Sequence, residues 1–137
     1  MPAGRYDFRP SGESMSFGRQ VLHIAGASVY RFWEITGAPP PFSFDDWEKQ
    51  DAAATAGQAD KAVAIEYLRR SFDYVIGLLP TISPDQMAKP FVVNWKGRPE
   101  VNARQMMANM FMHVAHHRAQ CEIYLRIEGI QPPPYRF

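Results

Sequence analysis

The chain has 137 residues, of which 46% are hydrophobic and 21% charged, with a formal net charge of +1. That length suits one domain with its own core, and the near-neutral balance excludes the basic footprint of a nucleic-acid or anionic-membrane binder. A single cysteine, Cys121, rules out an internal disulfide; with no signal-peptide core and no bilayer-length apolar run, the expectation is a cytoplasmic protein.

Residues 1 to about 13 read as irregular, because Pro2, Gly4, Pro10 and Gly12 interrupt any periodic pattern. The stretch "SMSFGRQVLHIAGASVYRFWEITG" predicts a helix over 16–36. Ser14 or Ser16 caps it, and Gly37 followed by Pro39, Pro40 and Pro41 ends it. "APPPFSFDDWEKQDAAATAG" reads as a long connection with one short helical turn around "FDDWEKQ". A second helix is expected over 57–79, with Ala64, Tyr67, Leu68, Ser71, Val75 and Leu78 at helical spacing and Pro80 as its stop. In "MAKPFVVNWKGRPEV" the run Phe91, Val92, Val93 and Trp95 favours extended structure and "KGR" a turn, so a short hairpin or extended loop is expected. The last helix is expected over 102–128, between an Asn102 cap and a Gly129 stop, with "IQPPPYRF" as an extended tail. The reading is one all-α domain over 1–137 with three long helices.

Three of the four histidines fall within five positions, in "HVAHHRAQ". A lone histidine on a helix is usually a satisfied core or surface residue, but His113 and His117 are four apart. On a helix their rings stack on one face, about 6 Å between Cβ atoms, the spacing that offers two imidazoles to one metal ion. At about 100° per residue, Met107, Met110, Val114, Cys121 and Leu125 define the buried arc. His117 lies inside it and His113 on its flank, while His116 points away. Two imidazoles in an apolar core cost free energy unless something partners them, and a metal ion is one such partner. The remaining histidine, His23, sits off the stripe of Val21, Ile24, Ala25, Phe32 and Ile35, which fits a cavity-lining residue and an exposed one equally. Three histidines from two helices would form an open site of the kind that acidifies a bound water or activates a thiolate.

"HVAHHRAQCEIYLRIEGIQPP" closely resembles the last-helix signature of the DinB-like (YfiT-type) metalloproteins, approximately H-x-x-H-H-R-G-Q, then Y-L-R, then G-x-x-P-P. "YDFRPSGESMSFGRQVLHIAGA" is similar to the family's other hallmark, an F-R-P loop followed by a helix carrying "LxHIA". The resemblance implies a four-helix bundle and assigns His23 as third ligand beside His113 and His117. It also implies one divalent metal, zinc or nickel, serving thiol transferases that use low-molecular-weight thiols, related isomerases, or metal-dependent hydrolases. Ala119 replaces the usual glycine of H-R-G-Q, which favours helix. The family's first helix normally precedes the F-R-P loop, where this chain has only "MPAGRYD". A bundle lacking most of that helix exposes an apolar groove, so the expectation is a homodimer in which a partner copy covers it, or else a poorly soluble protein.

Beside the ligands, Arg118 is expected to pair with a carboxylate of another helix and Gln120 to hydrogen-bond near the site. Cys121 reads as core filler. Asn109, Tyr30 and Tyr67 are candidates to line the cavity, and Asp45, Asp46 and Trp47 read as a solvated loop. The expected function is activation of a thiol or water on a small-molecule substrate by a three-histidine metal site, with no second acid or base in evidence. The alternative is a non-catalytic metal-binding or stress-associated bundle with a structural or degenerate site.

Overall fold

A computed structural model describes residues 1–94, 97 and 100–134. Five helices and one small hairpin follow in order: α1 (Phe17–Thr36), α2 (Phe44–Thr55), α3 (Lys61–Leu78), α4 (Pro84–Ala88), β1 (Phe91–Val92), β2 (Glu100–Val101) and α5 (Ala103–Ile127). The fold is a mostly helical bundle with a short hairpin before its last helix. No helix among the described residues is long and apolar enough to cross a membrane.

α1 begins where the Ser16 side chain accepts a hydrogen bond from the Arg19 amide, and ends at Gly37, whose φ of 68° places it in the left-handed region. Ser14 is therefore not the cap. More than half of α1 is buried, because α2, α3 and α5 all pack on it. Val21 and Leu22 join Tyr6, Phe17, Ala64, Tyr124 and Leu125 in one apolar cluster. Phe32 joins Val75, Met107 and Met110 in another. α3 and α5 flank α1 but make almost no direct backbone approach to each other.

α2 corrects the expectation of one helical turn: it is a helix of 12 residues. Its sequence is polar, with only Ala54 buried, so its stability comes from its partner. Trp47 lies on α1 at Gly26, where an added Cβ would sit 2.2 Å from the indole; glycine alone permits that approach. The indole Nε1 donates to the Leu22 carbonyl at 2.8 Å, and Arg19 bridges to Asp51 at 3.2 Å. α3 starts at Lys61 after an Asp60 cap, four residues later than expected. α4, unforeseen in the sequence, is closed by a Ser83–Gln86 capping box. β1 and β2 pair antiparallel, Phe91 opposite Val101. Gly97, at φ 86°, falls between them, whereas Trp95, Lys96, Arg98, Pro99 and the tail 135–137, where further extended structure was expected, lie outside the described residues. Asn102 caps α5 with Gln105 as its box partner.

Candidate metal centre

The α1–α5 interface carries a polar layer between its two apolar clusters. His23 of α1 and His113 and His117 of α5 each direct one ring nitrogen to a common region, all within 4.8 Å of one another. His113 Nε2 is 3.0 Å from His23 Nε2 and 3.2 Å from His117 Nε2. Two nitrogens bound to one tetrahedral zinc stand about 3.3 Å apart. His116 is exposed and outside this group, its ring edge to face with His117 at 5.0 Å.

The protonation pattern favours three lone pairs. Burial, then the positive charges of Arg31 and the neighbouring imidazoles, pushes His113 down to about 3. Burial and then His23, His116 and Arg31 take His117 down to about 4. Burial lowers His23 as well. The rings are therefore neutral at pH 7, each with one N–H and one lone pair. His117 commits its N–H on Nδ1 to Gln20 Oε1 at 2.5 Å, which leaves the Nε2 lone pair facing the cluster. His113 Nδ1 is the buried side-chain polar atom that finds no partner among the described residues. A neutral cluster of three nitrogens this close cannot satisfy every lone pair with the protons it holds, whereas one cation would satisfy all three. The donor set fits a metal ion.

Gln20 is the residue the sequence reading missed. It is fully buried, accepts from His117, donates to Gln120 Oε1, and also reaches the Tyr124 hydroxyl at 3.4 Å. Gln120 in turn donates to His116 Nε2 at 2.7 Å. Its signal in the sequence was a polar residue one turn before His23, beside the apolar stripe. Arg31, also missed, is buried; its Nε donates to Asn109 Oδ1 at 2.9 Å and its Nη1 to the Ala27 carbonyl at 2.9 Å.

The other candidates fall out differently. Arg118 pairs with Glu122 of its own helix, the i,i+4 carboxylate, at 3.0 Å. Tyr67 packs on Phe42, ring centroids 4.7 Å apart, while Tyr30 donates to the Asn94 carbonyl at 3.1 Å. Cys121 packs against the Tyr6–Leu125 cluster, and burial pushes its thiol up to about 12. Among the described residues, no fourth His, Cys, Asp or Glu joins the three histidines. Their open side is a cavity of about 670 Å³ between α1, α2 and Asn94, with His23 and His113 in its wall.

An all-α bundle holding three convergent imidazoles beneath an open cavity is a scaffold compatible with metal binding. A family model described as the DinB superfamily matches residues 1–121, a span that takes in all three histidines. The chain belongs to the DinB superfamily. No curated protein and no solved structure matches it.

Proposed function

We propose that this chain is a metal-dependent enzyme of the thiol-transfer or hydrolysis type, holding one zinc or nickel ion on His23, His113 and His117. The observation that carries the reading is the convergence of three neutral ring nitrogens at the wall of a cavity large enough for a small-molecule substrate. Such an ion, when bound, supplies Lewis acidity that makes a thiol or water a nucleophile at neutral pH. The chain's own residues do the rest. Gln20 fixes the His117 tautomer from behind, and Gln120 fixes Gln20. Arg31 adds positive charge beside the site and so favours an anionic nucleophile such as a thiolate. Tyr30, pushed up to about 12 by burial and then by Glu34, stays protonated at the rim, with its hydrogen on the Asn94 carbonyl. A free, reduced Cys121 suits a cytoplasmic setting.

The test is elemental analysis of the purified protein beside His23→Ala and His117→Ala, followed by assays of low-molecular-weight thiol consumption with an electrophile. About one zinc or nickel per chain, lost in both variants, and a thiol reaction that follows metal content, are expected. Metal retained in His23→Ala would overturn the two-helix site. Metal bound without any thiol or hydrolytic turnover would favour the non-catalytic alternative.

We also propose that the chain works as a homodimer. Between α3 and α5 runs an apolar groove lined by Phe72, Ile76, Leu79, Phe111 and Val114, with Ile76 62% and Phe111 57% exposed. The chain exposes 8164 Å², about 900 Å² more than the roughly 7,200 Å² expected of a folded monomer of this mass. A standard interface buries about 800 Å² per partner. Arg118 and Glu122 on the groove edge give it one charge of each sign, which a two-fold axis makes self-complementary. Sedimentation equilibrium at micromolar concentration should return a dimer; a monomer there would reject the assignment.

A further inference from the structure

The cavity over the histidines has a composition that selects among substrates, and the substrate class inferred from it rests on the reading of that cavity as the reactive pocket. Its outer walls are aromatic. Tyr30, Trp33 and Phe44 meet edge to face, with centroids 5.7 to 5.9 Å apart and planes at 61 to 63°. The fourth ring, Trp47, has spent its Nε1 hydrogen on the Leu22 carbonyl, so what it offers the cavity is ring surface. All four rings are only partly buried, although each is a residue that gains by full burial.

The polar part of the lining differs in kind. Arg31 stands in it beside His23 and His113, anchored by Asn109 and by the Ala27 carbonyl. Its charge is felt at all three imidazoles; at His113 and His117 the other charges felt are positive too, whereas at His23 the carboxylate of Asp51 acts more strongly with the opposite sign. Glu48 is also in the lining, but it is exposed. Water screens it far more than the buried guanidinium. The cavity lining therefore combines flat apolar faces with one buried guanidinium. At about 670 Å³ the space falls within the range of small-molecule pockets, roughly 300–1,000 Å³.

We propose that the substrate is an aromatic acid: a flat ring system held among Trp33, Phe44 and Trp47, with its carboxylate directed at Arg31 and the histidines. Offset or edge-on packing against the rings would fix the plane of the substrate, and the charge would fix which end faces the reactive side. The acid's own reactive atom would then be presented to the histidine layer, not to bulk water.

The test uses 1-naphthoate, with 1-naphthalenemethanol as the neutral isostere and cyclohexanecarboxylate as the non-aromatic acid. Affinities come from calorimetry and from tryptophan fluorescence, on metal-free and zinc-loaded protein. Saturable 1-naphthoate binding is expected in the metal-free protein, with each control weaker by about tenfold or more. Trp33→Ala should lose a similar factor with metal content unchanged, and Trp33→Phe should recover most of it. Equal or tighter binding of the alcohol, equal binding of the cyclohexane acid, or an unchanged affinity in Trp33→Ala would each overturn the proposal. Naphthoate binding without zinc uptake in any sample would refute the metal site and support this inference. Zinc uptake without naphthoate binding would refute this inference alone.

Discussion

The two long faces of α5 break the inside-out rule in opposite ways. Toward α1 the helix buries polar side chains, His117 and Tyr124 among them, beside Gln20. Toward the α3 groove it leaves apolar ones in water, Phe111 above all. Buried polar groups and exposed apolar patches are the informative departures from an ordinary fold. On the first face the chain supplies its own compensation, a hydrogen-bonded run from His117 through Gln20 and Gln120 to His116. It stops short only at His113 Nδ1 and at the converging Nε2 atoms. On the second face the described residues leave Ile76 and Phe111 exposed. The difference sets apart a face that a small cation would complete from one that a large apolar partner would cover.

Breaking the apolar face should give the largest effect. Ile76→Asp with Phe111→Asp puts two charges into the groove, where buried hot-spot positions are worth about 2 kcal/mol or more each. The dissociation constant of the proposed dimer should rise by at least about a hundredfold. Metal content should stay where it was, because neither residue touches the histidines; sedimentation and elemental analysis on the same sample decide it. Loss of metal together with the dimer would mean that the two faces are not independent.

Gln20→Leu attacks the polar face without removing a ligand. It leaves His117 Nδ1 without its acceptor and frees the ring to choose the other tautomer. Outer-shell changes of this kind cost about 10- to 100-fold in metal affinity. Competition against a zinc chelator reads that number directly. Gln20→Glu, which keeps an acceptor opposite Nδ1, should restore binding; a Leu variant that binds zinc like the parent would remove Gln20 from the site.

Much of the molecule was legible in the sequence, and the failures have a common physical cause. The caps of α1 and α5 are local events, an oxygen at Ser16 or Asn102 and a left-handed glycine at Gly37, so they can be read from neighbours in sequence. The i,i+4 pair of His113 and His117 is local too. α2 was not legible as a full helix, because its polar sequence carries no stripe and its anchors, Trp47 on Gly26 and Arg19 on Asp51, are supplied by α1. His23 escaped the helical wheel because α1 is packed by three helices and has no single buried stripe to be on or off. Gln20 depends on a partner 97 residues away, so its place one turn before His23 marks it as a neighbour of the site without saying what it holds.

Acid should separate the two faces by a smaller but signed effect. An ordinary histidine takes its proton near 6.5, whereas in the fold His117 resists to about 4 and His113 to about 3. Above 6.5 neither the folded nor the unfolded chain binds these protons, and stability is at its full value. Below it the unfolded chain binds protons that the folded chain refuses, so the metal-free fold loses stability as pH falls through the window down to about 4 and then 3. Urea midpoints at intervals between pH 7 and pH 4 should therefore decline. His117→Gln should flatten the decline, and the groove variants should leave its slope alone. A slope that steepens in the groove variants would place the titrating groups on the wrong face.

Cys121 sits one turn beyond His117 and tests where the polar face ends. Its thiol has the chemistry of a zinc or nickel ligand, and at helical spacing it could pass for a fourth donor. Yet it packs among Tyr6, Tyr124 and Leu125, and burial holds it protonated, up to about 12, when a ligand would have to be a thiolate. Cys121→Ser should therefore keep the parent metal content and cost about 1 kcal/mol in urea unfolding, as a small change inside an apolar cluster does. In the native protein the thiol should react slowly with a disulfide reagent at pH 8, and one thiol should appear on unfolding. Loss of metal in this variant, or fast native reactivity, would extend the polar face by a full turn and turn an open three-nitrogen centre into a closed one. A closed centre holds its ion for stability and leaves the cavity above it with nothing to do.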